Sequence, residues 1–415
     1  MYSAADEIWK SSRDRLPGID GYCLNRGDMI LSDRNLLMIT SAPDIGLVRY
    51  VVEIAGLAIG VFLLSRLGNP LHKASIPRDE APFVSVIIPA RNEERNLPRL
   101  LADLERQTYS AFEVIVVDDD SDDRTLEIAS SFPVKTVRVE TVPEGWLGKN
   151  WACHVGYLSS RGNLLVFLDA DVRLHPSALE ALVARAVQSL KVISVQPHFL
   201  ARSLSDSVGL LFWLVGSFAV VSKPVGRPEG LFGACIAIFR SHYESVGGHA
   251  RLRNEVAEDL ALGQVLAQAG IPVEVVPGGS LIGVYMHDSG LRGVYRVWAR
   301  TFGLGALMIS RLSFLFIFLW IAAIIGSELN LIRALLSRTY DLAALACYGV
   351  AAAELLYGAR RTGTFNPLFA LFHVLVTVPF VTLFTISLFN VLVLKRIQWK
   401  GRSIALDENI DRNNP

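Results

Sequence analysis

Between residues 80 and 300 the chain repeats a short apolar run followed by an amphipathic stretch. Val84–Pro89 (VSVIIP), Glu113–Asp118 (EVIVVD), Val134–Val139 (VKTVRV) and Leu164–Asp169 (LLVFLD) have the length and β-branched content of buried strands. Between the first two, Leu97, Leu100, Leu101 and Leu104 recur at i, i+3, i+4, i+7 within Glu93–Gln107. That spacing predicts a helix with one apolar face, despite Pro98 early in it. Asp122 and Asp123 follow the second run and can cap the helix after it. The order βαβαβ predicts an α/β fold, a mostly parallel sheet with helices on both faces. Ligands of such sheets bind beyond the carboxyl ends of the strands.

Longer apolar segments flank this region. Ile45–Leu67 is long enough to span a bilayer, although Arg49 and Glu53 sit in its first half. Beyond Leu304 come Leu312–Leu329, Leu342–Tyr357 and Leu368–Leu394; the middle one is short and contains Glu354. The expected division is a polar extension at 1–44, a transmembrane helix at 45–67 and an α/β domain at 80–305. A transmembrane region of two or three helices at 306–394 and a tail at 395–415 follow. Val208–Ser222 is apolar but short for a span, and an interfacial helix is expected there rather than plain core.

Basic residues after the first span (Arg66, His72, Lys73, Arg78) and before the second (Arg292, Arg296, Arg300, Arg311) place the α/β domain in the cytoplasm. Three further crossings would then put the tail KRIQWKGR outside, which its charge opposes. Either the middle block does not cross, or the charge rule fails at this end. Arg292, Arg296 and Arg300 share one helical face, suited to phosphate or, beside Trp298, to lipid headgroups.

Composition changes the picture in two ways. Hydrophobic residues make up 51% and charged ones 19%, with a mean hydropathy of +0.37, as in a chain with both soluble and membrane parts. The formal net charge is zero, so no global field attracts nucleic acid. The four cysteines lack C-x-x-C spacing, which predicts neither a disulfide framework nor a zinc site. Met1–Arg34 has no apolar core of a signal peptide. His154, His175 and His249 lack metal-ligand spacing and are expected to be structural.

The candidate chemistry lies where the runs end. The first ends in PARNEE (Pro89–Glu94), the second in DDDSDD (Asp118–Asp123) and the fourth in DAD (Asp169–Asp171). Acid-x-acid pairs arise by chance about four times in such a chain, so the pair matters only in this setting. Carboxylates gathered at one sheet edge need an answering cation, sugar or nucleotide, and hard oxygen ligands favour Mg2+ or Mn2+ over zinc.

VSVIIPARNEE, VIVVDDDSDDRT, GKNWA, LLVFLDADVRLHP and EDLALG, in this order and spacing, resemble the family 2 inverting glycosyltransferases of GT-A fold, over residues 82 to 305. PEGWLGKNWAC (Pro143–Cys153) is similar to membrane enzymes that glycosylate carotenoids and to hopanoid-associated glycosyltransferases. The resemblance implies that Ala90, Arg91 and Glu93 line a uridine pocket and that Asp118 or Asp119 reaches the uracil. It implies that Asp169 faces the ribose or metal, that Asp171 ligates Mn2+ or Mg2+, and that Lys149 lies near the phosphates. Asp259 would be the catalytic base, with Glu258 its neighbour. The expected activity moves a hexose from a UDP-sugar such as UDP-glucose to a lipophilic acceptor. The protein would be integral to the cell membrane, in contact with lipid, with Val208–Ser222 bordering the acceptor entrance.

Two departures stand out. Asp120 occupies the place of the family's usual turn glycine, and RGVYRVW (Arg292–Trp298) replaces the Q/R-x-x-R-W of processive members, which argues against polymer synthesis. The rival readings are a transferase that loads sugar onto a polyprenyl phosphate, favoured by a basic cluster near Asp259, and an inactive membrane scaffold or transporter.

Overall fold

The computed structural model describes residues 45–221, 230–285, 309–394, 396–399 and 402–405. Two compact units divide the chain, Met1–Tyr50 and Val51–Pro415; of the first, only the opening turns of helix α1 (Ile45–Ser65) are described. The basic stretch Arg292–Trp298 and the extension at 1–44 lie outside the described residues.

The α/β body contains, in order, β1 (Val84–Ala90), α2 (Leu97–Glu105), β2 (Phe112–Asp118), α3 (Thr125–Ser130), β3 (Lys135–Arg138), α4 (Gly148–Leu158), β4 (Leu164–Leu168), β5 (Val172–Leu174), α5 (Ala178–Ser189), β6 (Val192–Gln196) and β7 (His198–Phe199). After helix α6 (Leu210–Val221) it resumes with β8 (Cys235–Phe239), α7 (Arg240–Ser245), α8 (Gly248–Arg251), α9 (Glu258–Gln268), β9 (Val273–Pro277) and β10 (Ile282–Val284). The main sheet runs β3-β2-β1-β4-β8-β6-β9, all parallel except β8, which is antiparallel to β4 and β6.

Strand residues alternate between two cores, one on each face of the sheet. Val86, Ile88, Val116 and Val166 join α2 and α5 on one side, while Ile87, Ile115, Val117 and Phe167 join α4 and α9 on the other. A period of two with both faces covered is what makes these runs continuously apolar. Leu97, Leu100, Leu101 and Leu104 all enter the first core, so the helical spacing was real. The helix itself starts only at Leu97, with Pro98 in its first turn, where its missing N–H costs nothing. Asp122 is not a cap. Asp123 Oδ1 instead accepts from Thr125 N at 2.9 Å, just ahead of α3.

The C-terminal part contains α10 (Arg311–Leu336), α11 (Leu342–Thr362), the one-turn α12 (Leu368–Leu371), α13 (Val374–Leu392) and a tail hairpin of β11 (Arg396–Trp399) and β12 (Arg402–Ala405). Helices α1, α10, α11 and α13 are long and apolar enough to cross a membrane. The short block with Glu354 is a helix of 21 residues, longer than its apolar run. The last block is not one helix; it breaks at Phe372–His373.

The carboxylates in these helices face protein. Glu354 Oε2 accepts from Trp320 Nε1 at 2.8 Å, and Glu53 Oε2 accepts from Asn330 Nδ2. Pairing across helices is how such groups are tolerated at membrane depth. Gly56 and Gly60 let α1 approach α10, since a Cβ on either would fall 2.5 Å from Ala323 Cβ or 2.3 Å from the Trp320 ring. Helix α6 corrects the interfacial expectation. Leu210, Leu211, Phe212, Leu214 and Phe218 are fully buried, and α6 packs among α10, α11 and α13. It is apolar all round, with no polar face for an interface, and so becomes core.

Candidate active site

Register brings the polar ends of the central strands together. Ala90 pairs with Asp118, so the residues just beyond β1 and β2 are neighbours. Asp119 N donates to the Ala90 carbonyl at 2.8 Å, and Arg91 Nη1 donates to the Asp119 carbonyl at 2.6 Å while lying 3.6 Å from Asp119 Oδ2. Asp118 is fully buried; its Oδ2 accepts from Ser121 N at 3.3 Å, and its Oδ1 has no donor among the described residues. Glu93 Oε2 accepts from Asn96 Nδ2 at 2.9 Å, which ties it to the approach to α2.

Asp120, in the turn-glycine position, has φ +49°. A glycine takes that left-handed conformation freely, whereas a side chain costs about 1 kcal/mol, least for Asp and Asn. Its carboxylate is half exposed and 3.6 Å from Arg138 Nη2, so the extra charge lies beside an arginine of β3.

Helix α4 starts hard against this rim. A Cβ on Gly148 would fall 2.2 Å from Asp119 Oδ2, so only glycine fits there without displacement. Next in the chain, Lys149 Nζ lies 2.9 Å from Asp169 Oδ1, just past β4, and 2.7 Å from Glu258 Oε1, at the first turn of α9. Burial opposes the charge on Lys149, but Asp169 and Glu258 more than offset it and hold its pKa well above the ordinary value. Asn150 fixes the same junction from below: its Nδ2 donates to the carbonyls of Leu252 (2.6 Å) and Glu255 (2.9 Å).

Asp259 follows Glu258. Its Oδ2 accepts from Gly233 N at 3.0 Å and its Oδ1 from Leu260 N at 2.9 Å. Burial, then the adjacent Glu258, push its pKa up to about 6, against the pull of Lys149 and the two N–H groups. A carboxylate so placed is a usable base near neutral pH. One cavity is lined by Lys149, Asp169, Glu258, Asp259, His249 and Cys153, over an apolar floor that includes Phe167 and Leu262.

Of the residues expected from sequence, Lys149, Asp169, Glu258 and Asp259 therefore meet at one cavity. Ala90, Arg91, Asp118 and Asp119 form the adjoining rim, joined to it through Gly148. Asp171, partly exposed, lies two residues past Asp169 and is not among the cavity's lining residues. Sequence reasoning gave no separate role to Gly148 or Asn150, and expected His249 to be structural. The ring of His249 is buried, hydrogen-bonded through Nδ1 to Tyr243 Oη at 2.8 Å, and burial drives its pKa down to about 3.

Among the described residues no group of three or more His, Cys, Asp or Glu side chains is arranged to hold a metal ion. Asp169 and Asp171, the two carboxylates just past β4, are a candidate set of hard oxygen donors. That set fits a Mg2+- or Mn2+-type ion held largely by substrate phosphates and water, and does not fit one held by protein alone.

Residues 85–216 match the family model described as Glycosyl transferase family 2. A 4,4'-diaponeurosporenoate glycosyltransferase of Staphylococcus haemolyticus is 30% identical over 334 residues, covering 78% of this chain and 88% of the relative. The chain belongs to the family 2 glycosyltransferases. A 4,4'-diaponeurosporenoate glycosyltransferase of Staphylococcus aureus is 29% identical over 367 residues, 86% of this chain and 97% of its own. Among solved structures, a mannosyltransferase of Pyrobaculum calidifontis, in complex with GDP-Man and Mn2+, aligns with a TM-score of 0.48 and 18% identity, over 75% of this chain and 97% of that one. Among the described residues, this glycosyltransferase joins a mostly parallel α/β body to four helices long and apolar enough to cross a membrane.

Proposed function

We propose that this glycosyltransferase moves one hexose, with inversion, from a UDP-sugar to a lipophilic acceptor, a carotenoid or related isoprenoid bearing a hydroxyl or carboxyl. The observation that carries the proposal is where Asp259 is anchored. Its carboxylate is held by Gly233 N; the preceding Phe232 N donates to Ser194 Oγ of β6 at 2.7 Å; and β6 ends at Gln196, which donates to Ser217 of the buried apolar helix α6. The proposed base is thereby a few residues from helices that associate with a membrane. Each buried methylene contributes about 0.8 kcal/mol, so an acceptor of roughly thirty carbons stays in the membrane and only its polar end must reach Asp259. The relatives named above act on 4,4'-diaponeurosporenoate, a carotenoid, and match over most of both chains.

In this reading Asp259 accepts the proton of an acceptor hydroxyl, and Glu258 keeps it basic. Lys149 offsets the carboxylates around the departing diphosphate. Ala90, Arg91, Glu93, Asp118 and Asp119 hold the nucleotide, and the buried Asp118 Oδ1 suits a donor such as the uracil N–H. Asp169 and Asp171 would hold Mg2+ or Mn2+, which would supply positive charge to the leaving group. The reading also places the protein in the cell membrane with its α/β body in the cytoplasm. The rival polyprenyl-phosphate reading needs cations for a second phosphate. Among the described residues the cavity is lined by one, Lys149, already held by two carboxylates.

The donor is tested with purified membranes, a lipid extract and radiolabelled nucleotide sugars. Label from a UDP-hexose should enter the organic-soluble fraction, and transfer from GDP-mannose alone would contradict the proposal.

A further inference from the structure

Contacts within the C-terminal helices fix the direction in which the chain travels there. Helix α11 delivers it to the edge of the α/β body: Thr364 N donates to the Phe199 carbonyl at 2.8 Å, and Asn366 N to Ser207 Oγ at 2.9 Å. A last crossing would begin its helix at this level. Instead Tyr348 Oη donates to the Leu371 carbonyl at 2.8 Å. Tyr348 lies fourteen residues before Thr362, the end of α11, which is about 21 Å back along the helix at 1.5 Å per residue. His373 stacks on Tyr348 at 4.3 Å and pairs through Nδ1 with Glu328 Oε1. Glu328 is seventeen residues into α10, about 25 Å from Arg311. Residues 363–371 have therefore run back into the bundle over about two-thirds of the length of α11.

Helix α13 starts from that depth and retraces the path. Thr377 Oγ1 donates to Glu328 Oε1 at 2.8 Å. Phe380 packs on Phe212 at 4.8 Å, and the neighbouring Trp213 Nε1 donates to the carbonyl of Thr362 at 3.1 Å. Phe380 has thus returned toward the level at which α11 ended. Twelve more helical residues, about 18 Å, lead to Leu392.

We infer that residues 363–392 form a re-entrant hairpin, turning at the Glu328–His373–Thr377 cluster, which returns the C-terminal tail to the face that carries the α/β body. Irregular backbone at membrane depth persists only where protein satisfies it. Here Leu371 N and Phe372 N donate to the carbonyls of Pro367 and Leu368, Tyr348 caps the Leu371 carbonyl, and Phe369 and Ala370 are buried. The buried carboxylate of Glu328 has a positional role, joining α10 to the turn at His373 and to the first turn of α13 at Thr377. Charge supports the same path. Arg66, Lys73, Arg311, Arg361 and Arg396 then share one face, while the loop 337–341 between α10 and α11 offers Arg338 against Asp341. The conflict between three crossings and a basic tail disappears without removing α11 from the membrane. This inference needs α10 and α11 to span, and is independent of donor and acceptor.

The test uses full-length protein in sealed vesicles, with Cys23→Ser and one reporter cysteine at a time; Cys153, Cys235 and Cys347 are buried. The reporters are Glu105→Cys on the α/β body, Thr339→Cys in the α10–α11 loop, and a cysteine on a short Gly-Ser extension after Pro415. An impermeant maleimide should modify the extension and Glu105→Cys in the same vesicle orientation, near the total reached in detergent, with Thr339→Cys at background. Labelling of the extension together with Thr339→Cys, and apart from Glu105→Cys, would overturn the hairpin. Labelling of all three from one face would overturn it too.

Discussion

Asp259→Asn is expected to lower turnover on a hydroxyl-bearing acceptor by about 10²- to 10⁴-fold, the usual cost of losing a general base. The substitution keeps the shape and the acceptor oxygen for Gly233 N, 3.0 Å away in the native side chain. UDP affinity should survive, because the proposed uridine contacts lie at the ends of β1 and β2. The native enzyme should also show an acidic limb in kcat/KM near pH 6. Burial and Glu258 raise the Asp259 pKa to about 6, so the base form is present above that pH and is lost as pH falls through it. A carboxyl acceptor ionises unaided, and on it the same variant should lose far less. Steady-state kinetics with matched hydroxyl and carboxyl acceptors check this directly. Normal turnover of the variant on the hydroxyl acceptor would move the base elsewhere, first to Glu258.

Asp171→Asn should lower turnover by orders of magnitude while circular dichroism and thermal unfolding stay native. The loss is one of charge at the leaving group, since Asp171 is a partly exposed residue outside the two cores. Chelation should give the same result in the native enzyme. Incubation with excess EDTA should abolish transfer, and Mn2+ or Mg2+ should restore it. Full activity after metal removal, verified by elemental analysis, would show that Lys149 alone answers the carboxylates.

The strands were legible because burial on both sheet faces leaves a continuous apolar run; Val84–Ala90 and Leu164–Leu168 differ from expectation by one residue at an end. The face of α2 was legible for the same reason, since Leu97 to Leu104 repeat at the helical period. What pattern could not give was pairing at long range. Nothing local says that Lys149 will sit between Asp169 and Glu258, 109 residues away from it in the second case. Nor does anything local say that Asn150 will clamp Leu252 and Glu255. Helix α6 was misjudged because its length resembles that of an interfacial helix; its burial depends on helices that begin only at Arg311, Leu342 and Val374. The break at Phe372–His373 was hidden because the apolar composition continues through it. The turn is set by Glu328 and Tyr348 from other helices.

Mass spectrometry of lipids from cells expressing this chain together with a carotenoid pathway tests the central claim most directly. The account predicts a new lipid-soluble product heavier than its acceptor by one hexose, present with the native chain and strongly reduced with Asp259→Asn when the acceptor bears a hydroxyl. A ladder of many hexoses, or transfer confined to water-soluble acceptors, would contradict it.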